Sequence, residues 1–418
     1  MKHSDTPTMR VAYLTGRYPG ISHTFIMREV RALRALGLEV DTFSVWPTDR
    51  SLLLARADEE EHASTYTLLP LRPSATLRAH LAAAVTRPRR YRQTIRRAVK
   101  LKRPGLRGWG LAMSWVLEAI VLWHQCRLRG IRHVHVHLNG TAPTVALLVA
   151  VFADDSSSGG HSWTWSLTVH GPSEFYDTQG EQLAEKVRAA TFVICISDFA
   201  RSQLMGLVEE PYWPKLRVVH CGVDPEVFIP VKRGNGETLQ ILNVGRLVSV
   251  KGHAVLIEAA SLARQKGVPV HLTIVGEGPT RPELEQLIRA NDLPSLVKLA
   301  GAMGQDEILE LYRSSDVFCM SSFAEGVPVV LMEAMAQEIP VVAPAIMGIP
   351  ELVDDDVSGL LIRPARPDQI ADSLARLAGS RELRVTLGRR GREKVIAEFA
   401  IGECARELYD VFREYALR

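Results

Sequence analysis

The chain alternates short apolar runs with longer segments whose apolar residues recur at helical spacing. Near the start, an apolar run at 11–14 is followed by a helical pattern at 25–36, which Gly37 ends, and by a second apolar run at 38–46. Runs of this kind predict buried strands, and the segments between them predict amphipathic helices. Strands that alternate with helices form parallel sheets covered by helices on both faces. We therefore predict a doubly wound α/β fold, in which ligands bind at the carboxyl ends of the strands.

The segment 321–336 is the most informative part of this pattern. It follows an apolar run, 317–320, that predicts a buried strand, and Gly326 and Pro328 within it predict a turn. Strong helix formers come next, with Pro328 where the first helical residue is expected. A helix N-terminus at the end of a strand attracts anions, because its free N–H groups and its dipole face the loop. The segment therefore predicts a phosphate site.

Two carboxylates flank this predicted phosphate site, Glu325 before the turn and Glu333 within the helix. Because carboxylates repel phosphate, we expect them to bind hydroxyl groups on the same ligand. A ligand that carries phosphates in its middle and hydroxyl groups at both ends is a nucleotide-sugar. The pattern therefore favours nucleotide-sugar binding over the alternative of one loop carboxylate and one solvated helix carboxylate.

Length and composition predict the number of domains and the cellular compartment. A chain of 418 residues exceeds what one hydrophobic core usually serves, which predicts two domains. The hydrophobic content of 46% and the charged content of 23% are ordinary for a soluble globular protein, and the net charge of +3 is small. The start of the chain is polar, and no apolar run is long enough to span a membrane. An odd, dispersed set of cysteines also favours reduced thiols in the cytosol: Cys126, Cys195, Cys221, Cys319 and Cys404.

The stretch from His62 to Leu117 contains no acidic residue, although it is rich in arginine. Its basic part, 72–107, lies beside Trp109 and Trp115 and predicts contact with anionic lipid headgroups or with the phosphates of a lipid-carried acceptor. A solvated basic helix is the alternative. No fold motif of nucleic-acid binding accompanies these bases, so no nucleic-acid partner is predicted.

Three patterns that suggest a metal or a cofactor do not complete a site. The histidines of the segment 133–137 share one face of a strand, but no fourth ligand accompanies them. The acidic run 354–356 lies where an acidic turn is expected. Gly276 and Gly278 begin a dinucleotide fingerprint, but Arg281 stands where its third glycine belongs. We predict that the protein needs neither a metal nor a cofactor.

The run E-G-V-P-V-V-L-M-E-A-M-A, with its glutamates eight residues apart, resembles the signature of the family 4 retaining glycosyltransferases with the GT-B fold. The resemblance implies that Glu325 is a catalytic residue in contact with the donor sugar and that Glu333 holds the ribose hydroxyls. It also implies that Gly326 and Val327 bind the donor diphosphate, with Gly326 touching the sugar as well.

Other strand ends carry further motifs of this family. In the segment after Gly245, Arg246 and Lys251 resemble the family's pair of basic residues. The resemblance implies that they bind the diphosphate and stabilise its departure without a metal. The segment T-V-H-G implies that His170 is a catalytic residue near the anomeric carbon, where it helps to stabilise positive charge. Gly276 and Met303 are implied at the nucleobase.

The opening of the chain resembles members of the family that build exopolysaccharides and colanic-acid-type polymers. The segment 15–24 is similar to their P-x-x-S-E-T-F-I motif, with His23 in place of the glutamate, and the segment 137–140 is similar to their acceptor-side loop. The implied acceptor-side residues are Gly16, Ser22, Thr24 and Asn139.

The resemblance covers nearly the whole chain and implies two Rossmann-like domains that face each other across a cleft. Residues 1–230 would bind the acceptor, residues 231–395 would bind the donor, and a helix in 396–418 would return to the first domain through Tyr409, Phe412 and Tyr415. The implied reaction moves a hexose from a UDP- or GDP-sugar to a glycan or polyprenyl-linked saccharide with retention of configuration, in the biosynthesis of a cell-surface polysaccharide. The alternatives are a GT-B epimerase or phosphorylase, and a non-catalytic nucleotide-sugar-binding or membrane-associated scaffold.

Overall fold

The computed structural model of the protein describes residues 10–20, 24–50, 53, 55–138, 140–154, 163–180, 182–232 and 236–415. The chain divides into two compact units. The first unit comprises Met1–Val219 together with Ala405–Arg418, and the second unit comprises His220–Cys404.

The first unit contains a parallel sheet of seven strands in the order β3-β2-β1-β4-β5-β6-β7. The strands are β1 (Arg10–Arg17), β2 (Glu39–Trp46), β3 (Tyr66–Thr67), β4 (His133–His137), β5 (Thr164–Val169), β6 (Phe192–Cys195) and β7 (Leu216–Val218). The helices are α1 (Thr24–Ala35), α2 (Arg56–Ser64), α3 (Pro73–Thr86), α4 (Pro88–Leu101), α5 (Leu106–Leu128), α6 (Thr141–Ala153), α7 (Leu183–Ala189) and α8 (Asp198–Met205).

Both faces of this sheet are covered. Ala12 and Leu14 point to a core built with α3 to α8, whereas Val11 and Tyr13 point to a second core on the opposite face. Because successive strand residues alternate between the faces, a strand buried on both sides reads as a continuous apolar run, and such a run was the basis of the strand prediction at 11–14.

The second unit contains a parallel sheet of six strands in the order β10-β9-β8-β11-β12-β13. The strands are β8 (Leu239–Val244), β9 (Val270–Val275), β10 (Val297–Gly301), β11 (Val317–Cys319), β12 (Val341–Pro344) and β13 (Leu360–Ile362). The helices are α9 (His253–Gln265), α10 (Arg281–Ala290), α11 (Gln305–Arg313), α12 (Val329–Ala336), α13 (Ile349–Leu352), α14 (Pro367–Gly379) and α15 (Arg381–Glu398), after which α16 (Ile401–Tyr415) leads back to the first unit.

Each sheet has one point where its strand order reverses. In the first unit this point lies between β1 and β4, and in the second unit it lies between β8 and β11. Loops diverge at such a point and leave a crevice at the carboxyl ends of the two strands, which is where doubly wound domains bind ligands. The predicted class, two Rossmann-like α/β domains, is confirmed.

Several predicted boundaries shift. Strand β1 continues to Arg17, so Gly16 belongs to the strand and not to the loop after it, and α1 begins at Thr24. Pro328 caps α12 from outside, and Val329 is the first helical residue.

The stretch after β7 was predicted as part of the first domain and of a linker, but it packs within the second unit. The amide of Val223 donates to the carbonyl of Phe399 at 2.9 Å, and the amide of Ile401 donates to the carbonyl of Val223 at 2.8 Å. Arg392 Nη1 donates to the carbonyl of Phe228 at 3.0 Å. These contacts tie the stretch to the second unit, and the units therefore divide at Val219, before the predicted boundary at residue 230.

Candidate functional site

In the second unit, the loops that follow β8 and β11 are joined by hydrogen bonds at the reversal point. Ser321 Oγ donates to the carbonyl of Gly252, 2.9 Å away, and the amide of Phe323 donates to the carbonyl of Val250 at 2.8 Å. A Cβ at residue 252 would lie 2.2 Å from the carbonyl oxygen of Ser321, so only glycine allows this approach. The two loops therefore form one surface.

This surface carries the predicted diphosphate-binding bases. Lys251 Nζ lies 2.6 Å from Glu325 Oε1, and Glu325 is only 8% exposed. Arg246 is exposed, and among the described residues its guanidinium has no hydrogen-bond or ion-pair partner. One base is thus held by a nearly buried carboxylate, whereas the other is available to a ligand.

The turn before α12 supplies backbone donors next to these bases. Within the described part of the chain, the amides of Gly326, Val327 and Val329 have no acceptor, as expected at a helix N-terminus. The turn is packed against Gly348, where an added Cβ would lie 2.6 Å from the carbonyl oxygen of Gly326. The structure therefore brings together Arg246, Lys251, Glu325, Gly326 and Val327, all of which were predicted from sequence.

Glu333 lies on α12 and is 8% exposed. The hydroxyl of Tyr312 lies 3.0 Å from its Oε2 and 3.1 Å from the carbonyl oxygen of Val330. Tyr312 is fully buried and stacks on Phe318. Sequence reasoning missed Tyr312, since an isolated tyrosine on an amphipathic helix carries no signal of its partner.

Of the two residues predicted at the nucleobase, Gly276 has a structural reason to be glycine. Its amide donates to the carbonyl of Gly301 at 2.8 Å, and a Cβ there would lie 2.0 Å from the carbonyl oxygen of Gly245. Gly276 thus supports the loop that carries Arg246. Met303 follows the end of β10 and is partly exposed.

His253 begins α9 beside these loops and was not predicted. It is 3% exposed, and its ring nitrogens have no partner among the described residues. Burial, and secondarily the charge of Lys251, lowers the pKa of His253 to about 4, so its ring is neutral at neutral pH.

In the first unit, His137 and His170 meet at the carboxyl ends of β4 and β5. His137 Nδ1 lies 2.9 Å from His170 Nε2, and His137 Nε2 lies 3.1 Å from Glu29 Oε1. Phe25, next to Thr24 at the start of α1, packs on His170 with the ring centres 4.6 Å apart. The structure thus brings the start of α1 to the predicted catalytic histidine. Ser22 and Asn139, also predicted on the acceptor side, lie outside the described residues.

The other two histidines of β4 are buried and hydrogen-bonded. His133 contacts the hydroxyls of Thr164 and Ser166 at 2.8 Å each, and burial lowers its pKa to about 3. Both ring nitrogens of His135 contact hydroxyls, and burial lowers its pKa well below the ordinary value. Ligand atoms of Glu29, His135 and His137 lie within 4.8 Å of one another, a spacing that a metal ion would accept. Hydroxyls occupy both nitrogens of His135, however, so its ring makes hydrogen bonds to Ser166 and Thr168.

The basic stretch 72–107 is partly neutralised by acids from elsewhere in the chain. Arg90 pairs with Asp154 at 3.2 Å, Arg103 pairs with Asp177 at 2.9 Å, and Arg97 pairs with Glu185. The expectation of an unbalanced charge is wrong for these three arginines, because the acids come from loops and helices that only the fold brings close.

Other bases of the stretch are exposed and have no acidic partner among the described residues: Arg89, Arg92, Arg96, Lys100 and Arg107. Apolar side chains on α3 are exposed as well, with Leu77 at 61%, Leu81 at 56% and Val85 at 79%. Among the described helices, none is both long and apolar enough to cross a membrane.

Comparison with known proteins finds a family match within the second unit. Residues 226–394 match the family described as Glycosyl transferases group 1. The chain is 28% identical over 420 residues to the amylovoran biosynthesis glycosyltransferase AmsK of Erwinia amylovora, covering 98% of this chain and 100% of AmsK. It is 29% identical to WcaL of Escherichia coli, which is provisionally named a colanic acid biosynthesis glycosyltransferase, covering 96% of this chain and 98% of WcaL.

A similar fold is found in the crystal structure of HepE from Anabaena in complex with UDP-glucose. It superposes with a TM-score of 0.70 at 17% identity, covering 97% of this chain and 100% of HepE. Residues 226–394 thus match the group 1 glycosyl transferases, the kind of family that the paired glutamates predicted, and the chain has the GT-B fold.

Proposed function

We propose that the protein transfers a hexosyl group from a nucleoside-diphosphate sugar to a glycan or lipid-linked saccharide, with retention of configuration. The observation that carries this proposal is the group of bases and backbone amides at the carboxyl ends of β8 and β11 in the second unit. Arg246 has no partner among the described residues, Lys251 lies beside the turn before α12, and the amides of Gly326 and Val327 have no acceptor there. Cations and free amides at a helix N-terminus bind phosphate groups.

The same groups supply the chemistry of the leaving group. Arg246 offers a planar fork and Lys251 a mobile point charge, which suits two adjacent phosphates. Their positive charges stabilise the departing nucleoside diphosphate, so the reaction needs no metal. Glu333 binds the ribose hydroxyls, and Glu325 binds a hydroxyl of the sugar.

Retention follows in this proposal from departure and attack on the same face of the sugar. Glu325 is nearly buried and paired with Lys251, which stabilises its carboxylate and makes it a weak nucleophile. We infer that the leaving phosphate, and not a covalent intermediate, assists the incoming acceptor hydroxyl.

The relatives support a biological setting. AmsK and WcaL are named for the biosynthesis of amylovoran and colanic acid, and HepE was crystallised with UDP-glucose. We infer that this protein builds an exopolysaccharide in the cytoplasm and uses a UDP-sugar or, as the alternative, a GDP-sugar. All five cysteines are free and buried, which fits a reducing compartment.

The test is calorimetric titration with UDP, GDP and ADP and with their glucose, galactose and mannose conjugates. We expect saturable binding of one nucleotide that persists in EDTA, followed by sugar transfer to a lipid-linked saccharide with the anomeric configuration of the donor. Binding of none of these ligands would overturn the proposal in favour of a non-catalytic scaffold. Inversion, or binding only with a divalent cation, would overturn the retaining, metal-independent mechanism.

The exposed face of α3 supports a membrane partner. Leu77, Leu81 and Val85 recur every four residues and so form one apolar stripe, next to the unpaired bases of α4. An apolar stripe beside cations binds the interface of an anionic bilayer, where it would meet a polyprenyl-linked acceptor.

This surface is tested by sedimentation with vesicles of phosphatidylglycerol and phosphatidylcholine. We expect binding at low salt that falls as salt increases, and that falls at least tenfold in L77S/L81S/V85S. The matched control is V385S/I396S, which changes residues that are 56% and 46% exposed on α15. Equal binding of both variants, or no binding of the wild type at low salt, would remove the membrane partner.

A further inference from the structure

A line of hydrogen bonds in the first unit runs from the sheet to His170. Tyr13 donates its hydroxyl to Glu29 Oε1 at 2.7 Å, and the same oxygen lies 3.1 Å from His137 Nε2. On the other side of the imidazole, His137 Nδ1 lies 2.9 Å from His170 Nε2. The order is therefore Tyr13, Glu29, His137, His170, and the line ends at the histidine that the family motif assigns to the donor sugar.

The chemistry of these groups determines where the protons lie. An ionised carboxylate only accepts hydrogen bonds, so His137 carries a proton on Nε2 and donates it to Glu29. A neutral His137 then has a lone pair on Nδ1, and His170 must donate its own Nε2–H to it. In a neutral His170 with its proton on Nε2, Nδ1 is the acceptor.

The line is rigid as well as directional. His137 is 1% exposed on the central strand β4, and its ring stacks on that of His170. Phe25 packs against the His170 ring, and the Glu174 carboxylate accepts hydrogen bonds from the amides of His170 and Gly171. Both the backbone and the ring of His170 are therefore held.

We propose that Glu29 and His137 are positioning residues for His170: they fix a proton on its Nε2, so that Nδ1 is the acceptor in the neutral ring. The proposal rests on the proposed function, since the place of His170 at the donor sugar is part of it. Positive charge develops at the anomeric carbon as the diphosphate leaves. A neutral ring with an acceptor nitrogen favours that charge, whereas an imidazolium would oppose it.

The opposite arrangement has a different proton pattern. A doubly protonated His137 would donate Nδ1–H to His170, which would then carry its own proton on Nδ1. The groups that face His137 are Glu29 from α1, Tyr13 from β1, His135 from β4 and His170 after β5. The two patterns differ at one observable atom, His170 Nε2.

Nuclear magnetic resonance shows directly whether His170 Nε2 carries a proton. The full-length protein is labelled with ¹⁵N-histidine, His170 is assigned by its absence in H170Q, and the tautomer is read from the two ring nitrogens at neutral pH. We expect the proton on Nε2 in the wild type and loss of this fixed tautomer in H137L. Because the spectrum does not depend on turnover, it tests the positioning residues apart from the activity.

Kinetics give the second measurement. We expect kcat to fall roughly 10- to 100-fold in H137L, with UDP affinity unchanged because the UDP-binding residues lie in the second unit. H137N keeps an oxygen near the position of Nδ1 and should restore part of kcat. The matched control is H135L, which removes an equally buried histidine of the same strand that has no hydrogen bond to His170, and it should keep kcat within about threefold.

Three results would overturn the inference. A proton on Nδ1 of His170 in the wild type contradicts the assigned tautomer. Wild-type kcat in H137L, with H170Q inactive, removes the positioning role and leaves the proposed function intact. Full activity of H170Q overturns both the positioning role and the place of His170 at the donor sugar.

Discussion

Arg246 and Lys251 carry the same charge and lie on the same loop, but their surroundings differ. Arg246 is exposed and, in the described part of the chain, has no partner, whereas Lys251 is held 2.6 Å from the nearly buried Glu325. The first side chain can serve the ligand alone, and the second also stabilises the fold. Their substitutions should therefore separate binding from stability.

We expect R246Q to weaken UDP binding about 10- to 100-fold while the free energy of unfolding stays within about 0.5 kcal/mol of the wild type. K251M should weaken UDP binding to a similar degree and also cost about 1–3 kcal/mol of stability, because Glu325 loses its counter-ion. Calorimetry and urea unfolding measure the two effects. Equal stability of the two variants would show that the Lys251–Glu325 pair does not stabilise the fold.

A second prediction at this scale concerns His133, whose pKa is lowered from 6.5 to about 3 by burial. Between these values the unfolded chain binds a proton that the folded chain does not, so the free energy of unfolding falls as the pH decreases from about 6.5 towards 3. Between pH 7 and pH 5 the loss from this one group is about 2 kcal/mol.

The wild type should therefore lose about 2 kcal/mol more than H133N between pH 7 and pH 5. Tryptophan fluorescence during urea unfolding measures this loss in the first unit, since all seven tryptophans lie before residue 219. A pH dependence that is identical in the two proteins would contradict the buried, neutral state of His133.

At the scale of elements, the apolar pattern predicted the strands well because parallel strands are buried on both faces. Their ends were harder to predict. Gly16 looked like a loop residue but continues β1, since strand pairing with β2 extends to Arg17 and a single glycine does not stop it. The turn before α12 was predicted from Gly326 and Pro328, and both lie there.

The support of that turn by Gly348 gives the prediction at this scale. In G348A the new Cβ would lie 2.6 Å from the carbonyl oxygen of Gly326, so the turn must move. We expect UDP binding to weaken at least tenfold and stability to fall by about 1–3 kcal/mol. G379A is the control, since nothing lies within 4 Å of a Cβ there. If both variants bind UDP equally well, the position of the turn does not determine the affinity.

At the scale of the whole molecule, the last helix belongs to the first unit although the second unit precedes it in the chain. Phe412 on α16 is fully buried and packs edge-on against the rings of His133, His135 and Phe192. The helix therefore covers one face of the first sheet, and the fold of the first unit is completed only when the end of the chain is present.

We expect F412A to destabilise the first unit by about 3–5 kcal/mol, as the removal of a buried aromatic ring does. Tryptophan fluorescence measures this loss, and UDP affinity should not change because the residues proposed to bind UDP lie in the second unit. I396A, at a side chain 46% exposed on α15, is the control. Unchanged stability of F412A would mean that α16 contributes no binding energy to the first sheet.

The sequence by itself determined the α/β class, the strand and helix order, the turn before α12 and the family resemblance, because these depend on local periodicity and on motifs of neighbouring residues. The tertiary structure alone decided the partners: Glu29 with His137 and His170, Lys251 with Glu325, Tyr312 with Glu333, and Arg90 with Asp154. Each of these contacts joins residues far apart in the chain. They form only where strand order and helix packing bring two elements together, and local sequence patterns do not predict such contacts.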